Sequence, residues 1–158
     1  CLQIVQLQPS KTREPGVARF TMNLGAHFPE FASAIHERLP PRSIAPDQCH
    51  LNHRIGLLIP GHDDVWWQAV EATVDAVTRD VVNAVVTYAL PWLDSLAEYS
   101  GAAETLRGRA PPDLLTVVFC LAGRVEEASA ALRSALQDRG TPRALEGWAR
   151  AHGLSLAN

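Results

Sequence analysis

Apolar residues recur at steps of three or four along Asp64 to Leu90. Trp66, Val70, Val74, Val77, Val81, Val85 and Tyr88 share one face at that spacing, which predicts a long amphipathic helix over 64–90. Asp63 or Asp64 suits its N-cap, and Pro91, which has no N–H, is expected to stop or kink it. Its valines lower intrinsic helix propensity, so tertiary packing must hold it. The surface for that packing comes earlier in the chain, where the period changes from 3.6 to 2. Residues 1–8 read as one strand and 17–26 as a second, with Phe20, Met22 and Leu24 on one side and Arg19, Thr21 and Asn23 on the other. Pro9, Pro15 and Gly16 between them make a hairpin. Residues 50–59 read as a third strand, with Leu51, His53, Ile55 and Leu57 opposed to His50, Asn52 and Arg54.

Around this frame, Pro29 opens a short helix over 31–39 with Phe31, Ile35 and Leu39 on one face, and Pro40, Pro41 and Pro46 force an extended connector. After Pro91 a kinked helical segment ends at Gly101, and GAAETLRGRAPP reads as a polar linker. Asp113 caps a buried helix over 114–124. Val125–Gln137 follows as an alanine-rich helix closed by Gly140, and Thr141 and Pro142 open a last helix with Leu145, Trp148 and Ala149 inward. Strands first and helices after give an α+β class: an antiparallel sheet covered by a long helix, with a C-terminal helical extension. The expected organisation is an α+β domain over 1–99 and a helical extension over 100–158.

Composition narrows the function classes. The chain has 158 residues, 47% of them hydrophobic, and a formal net charge of −3. That is enough for a core, and it offers no general attraction to nucleic acid or to acidic membrane surfaces. Cys1, Cys49 and Cys120 are odd in number and far apart, which fits a reducing cytoplasm rather than a disulfide framework. Charges at Glu71, Asp75, Arg79 and Asp80 interrupt the long helix, so no membrane span is expected.

The chain from the first strand to Leu96 resembles the bacterial domain-of-unknown-function family 4304. The residues that carry the resemblance are Val5-Gln6-Leu7-Gln8, Phe20-Thr21-Met22-Asn23-Leu24-Gly25, Cys49-His50-Leu51 with Arg54-Ile55-Gly56, Trp66-Trp67, and Ala89-Leu90-Pro91-Trp92-Leu93. Members of that family carry a helix and a strand before the Val-Gln-Leu-Gln stretch, so the resemblance implies a missing N-terminal piece. It lends no activity.

Candidate chemistry lies on the polar side of the predicted sheet. Arg19, Asn23, His50, Asn52 and Arg54, with Thr21, Gln6 and Gln8, would gather there, and two arginines beside a histidine suit a small anion such as a carboxylate or phosphate. Antiparallel sheets also leave one face to water, and polar residues belong there without any ligand. Cys49, His50 and His53 alternate in direction along a strand, so they do not converge on a metal. His62, Asp63 and Asp64 already have a role at a helix start. Of the adjacent indoles, Trp66 is the expected core residue. No Gly-x-Ser-x-Gly elbow and no phosphate-cradling glycine loop is present. The expectation is a cytoplasmic, non-catalytic binding or protein-interaction module without cofactor, by analogy immunity-protein-like. The alternative is a small-anion-binding domain or enzyme using His50, Arg19 and Arg54.

Overall fold

The computed structural model describes residues 1–35, 44–137 and 143–155. It is α+β, with one four-stranded antiparallel sheet. The described residues divide into two compact units. One holds residues 2–27 and 44–94, and the other residues 28–35, 95–137 and 143–155 with Cys1.

The first unit contains the sheet. β1 (Leu2–Pro9) and β2 (Ala18–His27) form the hairpin, paired from Leu2↔His27 to Pro9↔Phe20. The connector turns through Gly16 at φ +74°, a conformation that costs other residues a Cβ clash. β2 is central. Its far edge holds β3 (Leu51–Arg54) beside residues 23–26 and β4 (Trp67–Ala69) beside residues 18–20.

Two sequence expectations change here. The third strand is shorter than 50–59, because the chain tightens into a 3-10 turn at Ile55–Leu58. That turn drops Ile55 fully into the core and breaks the alternation, so Leu57 ends exposed. The helix expected from Asp64 starts ten residues later. Trp67–Ala69 joins the sheet instead, since aromatic and small apolar residues beside an open strand edge gain more from the ladder than from a valine-rich helix. A 3-10 turn (Glu71–Thr73) leads into α2 (Val74–Ala84), followed by a π-helical turn (Val85–Ala89) and α3 (Leu90–Ser95). Pro91 therefore does not stop the helix. In a regular α-helix it would take away a donor and push its ring against the carbonyl four residues back. The wider π turn just before it shifts the bonding pattern and places Pro91 in the first turn of α3, where its missing N–H is tolerated.

The α2–π segment covers the apolar side of the sheet. Met22, Leu24, Ile55, Ala84 and Ala89 are buried together, flanked by Leu58, Ile59, Trp67, Val81, Val85, Tyr88 and Trp92. Trp67 belongs to this group and stacks on Phe20, ring centroids 6.0 Å apart. Trp66 does not, which corrects the expected core tryptophan.

The second unit is helical. α1 (Pro29–Ala34) starts at Pro29 and buries Phe31; the rest of the helix expected over 31–39 lies outside the described residues. The stretch read as a polar linker is helical in its first half, as α4 (Tyr99–Leu106). Ala102, Ala103 and Leu106 are its buried face, and alanines this small give little periodic signal. Gly101 sits inside α4 rather than ending a helix. A Cβ there would lie 2.5 Å from the Ser95 carbonyl oxygen. α5 (Pro112–Leu121) packs against α4 and α6 (Val125–Gln137), burying Leu114, Val117, Val118, Phe119, Ala128 and Leu132. α7 (Arg143–Ala151) contributes Leu145 and Ala149. Gly140, Thr141 and Pro142 lie outside the described residues. Tyr99 donates a hydrogen bond to Glu30, tying α4 to α1. The bond holds the Glu30 carboxyl below its usual range, and burial with the Glu30 contact pushes the Tyr99 hydroxyl up.

Candidate functional site

Strand register builds the site. On the polar side of the sheet Gln6 pairs with Asn23 and Asn23 with Arg54, a row across β1, β2 and β3. Gln8 pairs with Thr21 and Asn52 with Gly25 on the same side. A 3-10 turn (Pro46–Gln48) lies over the far end of this face, held by the Gln48 side chain accepting the Ala45 N–H at 3.0 Å. Its close approach explains Gly25. A Cβ there would meet the Cys49 Sγ at 2.7 Å and the Pro46 Cα at 3.1 Å. Burial, with Asp47 nearby, pushes the Cys49 thiol up and away from thiolate reactivity. Toward the other end, Thr21 is fully buried, which the alternation did not foresee. Its hydroxyl donates to the Val65 carbonyl at 2.6 Å, because residues 64–66 cross the face there.

Between these two covers the face stays open as a concavity of about 650 Å³, lined by Gln6, Gln8, Asn23, Asp47, Asn52, Arg54 and Leu57. Four of its seven lining residues are carboxamides. Asn23 Nδ2 donates to Gln8 Oε1 at 2.7 Å, which leaves the Asn23 oxygen as an acceptor and the Gln8 nitrogen as a donor.

Arg54 is not a free cation. It forms an ion pair with Asp64, and Trp66 Nε1 donates to the same carboxylate oxygen at 2.8 Å. The Arg54 guanidinium lies 5.4 Å from the centre of the Trp66 ring, and that of Arg19 lies 5.5 Å from it. Trp66 therefore offers one aromatic ring to two arginines, with Asp64 as the counter-charge of Arg54. Because the pair is more than a third exposed on both sides, at 38% and 37%, its effect on stability is small. Arg54→Ala is expected to change unfolding free energy by no more than about 1 kcal/mol, measured by urea denaturation. A loss of 3 kcal/mol or more would make the arginine a structural residue.

Of the five residues predicted for the site, Asn23, Asn52 and Arg54 come together. Arg19 and His50 do not line the basin. Arg19 pairs with Gln68, lies four residues along β2 from Asn23, and borders a smaller cleft at the hairpin. His50 stacks on His27, ring centroids 4.3 Å apart. Gln6 and Gln8 take their places in the concavity. Asp47, Leu57 and the counter-ion Asp64 were not anticipated, since all three come from connecting turns whose direction periodicity does not encode. Among the described residues, no three His, Cys, Asp or Glu side chains gather as a metal site would require.

The family model described as "Domain of unknown function (DUF4304)" matches residues 1–95. The chain belongs to that family. No curated protein and no solved structure matches it. Every residue that lines the basin, together with Asp64 and Trp66, falls within the DUF4304 span. Among the described residues, no helix is long and apolar enough to cross a membrane.

Proposed function

We propose that this DUF4304 chain is a non-catalytic binding module of the cytoplasm that holds a neutral polar ligand, most naturally part of another protein, in the basin on its sheet face. The observation that carries this reading is the lining itself. Gln6, Gln8, Asn23 and Asn52 do not titrate, so they bind without moving protons, and each offers both a donor and an acceptor. Such side chains complement peptide groups, carboxamides and hydroxyls. Asp47 adds a negative charge at the rim and Arg54 is neutralised by Asp64, so the basin carries no positive excess to draw in an anion.

A second reading keeps the anion. A phosphate or carboxylate that displaces Asp64 would find the guanidiniums of Arg54 and Arg19 both near the Trp66 ring. Equilibrium binding of N-acetyl-asparagine amide and of inorganic phosphate, to the native chain and to Arg54→Ala, separates the two. The amide is expected to bind, with its affinity within twofold in the variant. Phosphate binding that disappears with Arg54, and no binding of the amide, would replace the first reading by the second.

A further inference from the structure

Gln8 and Asn23 are diagonal neighbours across β1 and β2, because Gln8 pairs with Thr21 and Asn23 with Gln6. A single hydrogen bond joins their side chains, from Asn23 Nδ2 to Gln8 Oε1 at 2.7 Å. A carboxamide has two N–H hydrogens and an oxygen with two lone pairs, so one bond leaves each partner half used. Asn23 keeps its carbonyl oxygen as an acceptor, and Gln8 keeps its NH₂ as a donor. Turning both carboxamides over only exchanges the roles: one N–H and one C=O remain on neighbouring side chains. Both residues are half-buried and both line the basin, so each holds the other in place where a ligand would meet them.

One donor beside one acceptor makes a selective edge, since a group that leaves either atom unpaired binds more weakly. A carboxylate offers acceptors alone, and Asp47 in the same lining repels it. An ammonium or guanidinium offers donors alone. A trans peptide unit has one of each, but its N–H and C=O point in opposite directions, so it meets one atom of the edge and misses the other. A primary carboxamide carries its N–H and C=O side by side. It fits such an edge as the side chains of Asn and Gln fit the neighbouring donor and acceptor of adenine.

We infer that Gln8 and Asn23 are the specificity-determining pair of the basin, and that the group they select is the side-chain carboxamide of an asparagine or glutamine in a partner protein. The inference rests on the basin as the binding surface and narrows its ligand from neutral polar groups in general to one of them. A nucleobase edge has the same order of donor and acceptor. The formal net charge of −3 sets the chain against nucleic acid, which favours the protein side chain.

The test compares three probes by equilibrium titration at neutral pH: N-acetyl-asparagine methylamide, N-acetyl-aspartate methylamide and N-acetyl-alanine methylamide. All three carry the same two peptide groups and differ in the side chain alone. The asparagine probe is expected to bind at least tenfold more tightly than either of the others. Gln8→Glu keeps an oxygen for the Asn23 N–H and replaces the outward donor by an acceptor. The asparagine probe is expected to lose at least tenfold there, while methylguanidinium, which carries donors only, gains at least fivefold over the native chain. Gln8→Met removes the donor without adding charge. It is expected to lose the preference for asparagine and to gain nothing for methylguanidinium, with the melting temperature within a few degrees. Equal binding of the asparagine and alanine probes to the native chain would overturn the inference and leave the basin standing as a site for peptide groups. No binding of any of the three would overturn both. An unchanged asparagine affinity in the two variants would take the selection away from this pair. Tighter binding of adenosine than of the asparagine probe would overturn the assignment to a protein side chain.

Discussion

Replacing Leu24 with alanine is expected to cost roughly 3–5 kcal/mol of unfolding free energy, the range for truncating a large apolar side chain that is wholly enclosed. Leu24 is fully buried in the middle of β2, the strand that every other strand contacts. Its neighbours approach from three directions: Val5 from β1, His53 from β3, and the α2–π segment from above. A cavity there has no single flexible neighbour to fill it. Since small domains are stable by about 5–15 kcal/mol in all, the variant should show a large fall in urea midpoint, or no folded baseline, with the transition slope unchanged. A cost under 1 kcal/mol would mean that the helix does not seal this side of the sheet.

Gly56→Ala is expected to be nearly as damaging for a different reason. A Cβ at Gly56 would lie 2.6 Å from the Val65 nitrogen and 2.8 Å from the Asp64 Cα, both backbone atoms that cannot rotate away. Overpacking of this kind costs about 1–3 kcal/mol even when the neighbours are side chains that can move. Relief here requires residues 64 and 65 to shift as a unit. That shift would break the bond from Thr21 to Val65 and move Asp64 away from Arg54 and Trp66. The melting temperature should fall by several degrees, and the Trp66 indole N–H signal should change its shift. A stable variant with an unmoved indole signal would refute the close backbone packing.

Gly56 also shows where reading the residues reaches and where it ends. The alternation through Met22, Leu24 and Ala26 was legible because an antiparallel sheet with one face covered imposes period 2 on the residues that matter. It placed the hairpin and the polar side of β2, and it placed Asn52 and Arg54 on that same side. What periodicity does not carry is the path of connecting chain over a face. Thr21 and Asn23 are two residues apart and equally polar in sequence. One is sealed under residues 64–66, and the other opens into the basin. The helix start was misplaced for a related reason. Trp66 and Val70 satisfy a 3.6-residue spacing by chance, while the free edge of β2 at Ala18–Phe20 claims Trp67–Ala69 for the sheet. His50 was put in the site by parity along β3, but its ring stacks on His27 and does not line the basin. Asp64 was read as a helix cap. With no helix there to cap, it serves instead as the counter-charge of Arg54.

The claim that the carboxamide-lined basin is the binding surface is tested most directly by NMR. N-acetyl-asparagine amide is titrated into isotope-labelled protein, and the side-chain NH₂ signals of Gln6, Gln8, Asn23 and Asn52 are followed. The account predicts that these four move together and saturate with one affinity, while the backbone signals of α2 stay in place. Signals that move only around Arg19 and the hairpin, or four carboxamide signals that stay still at saturation, would contradict it.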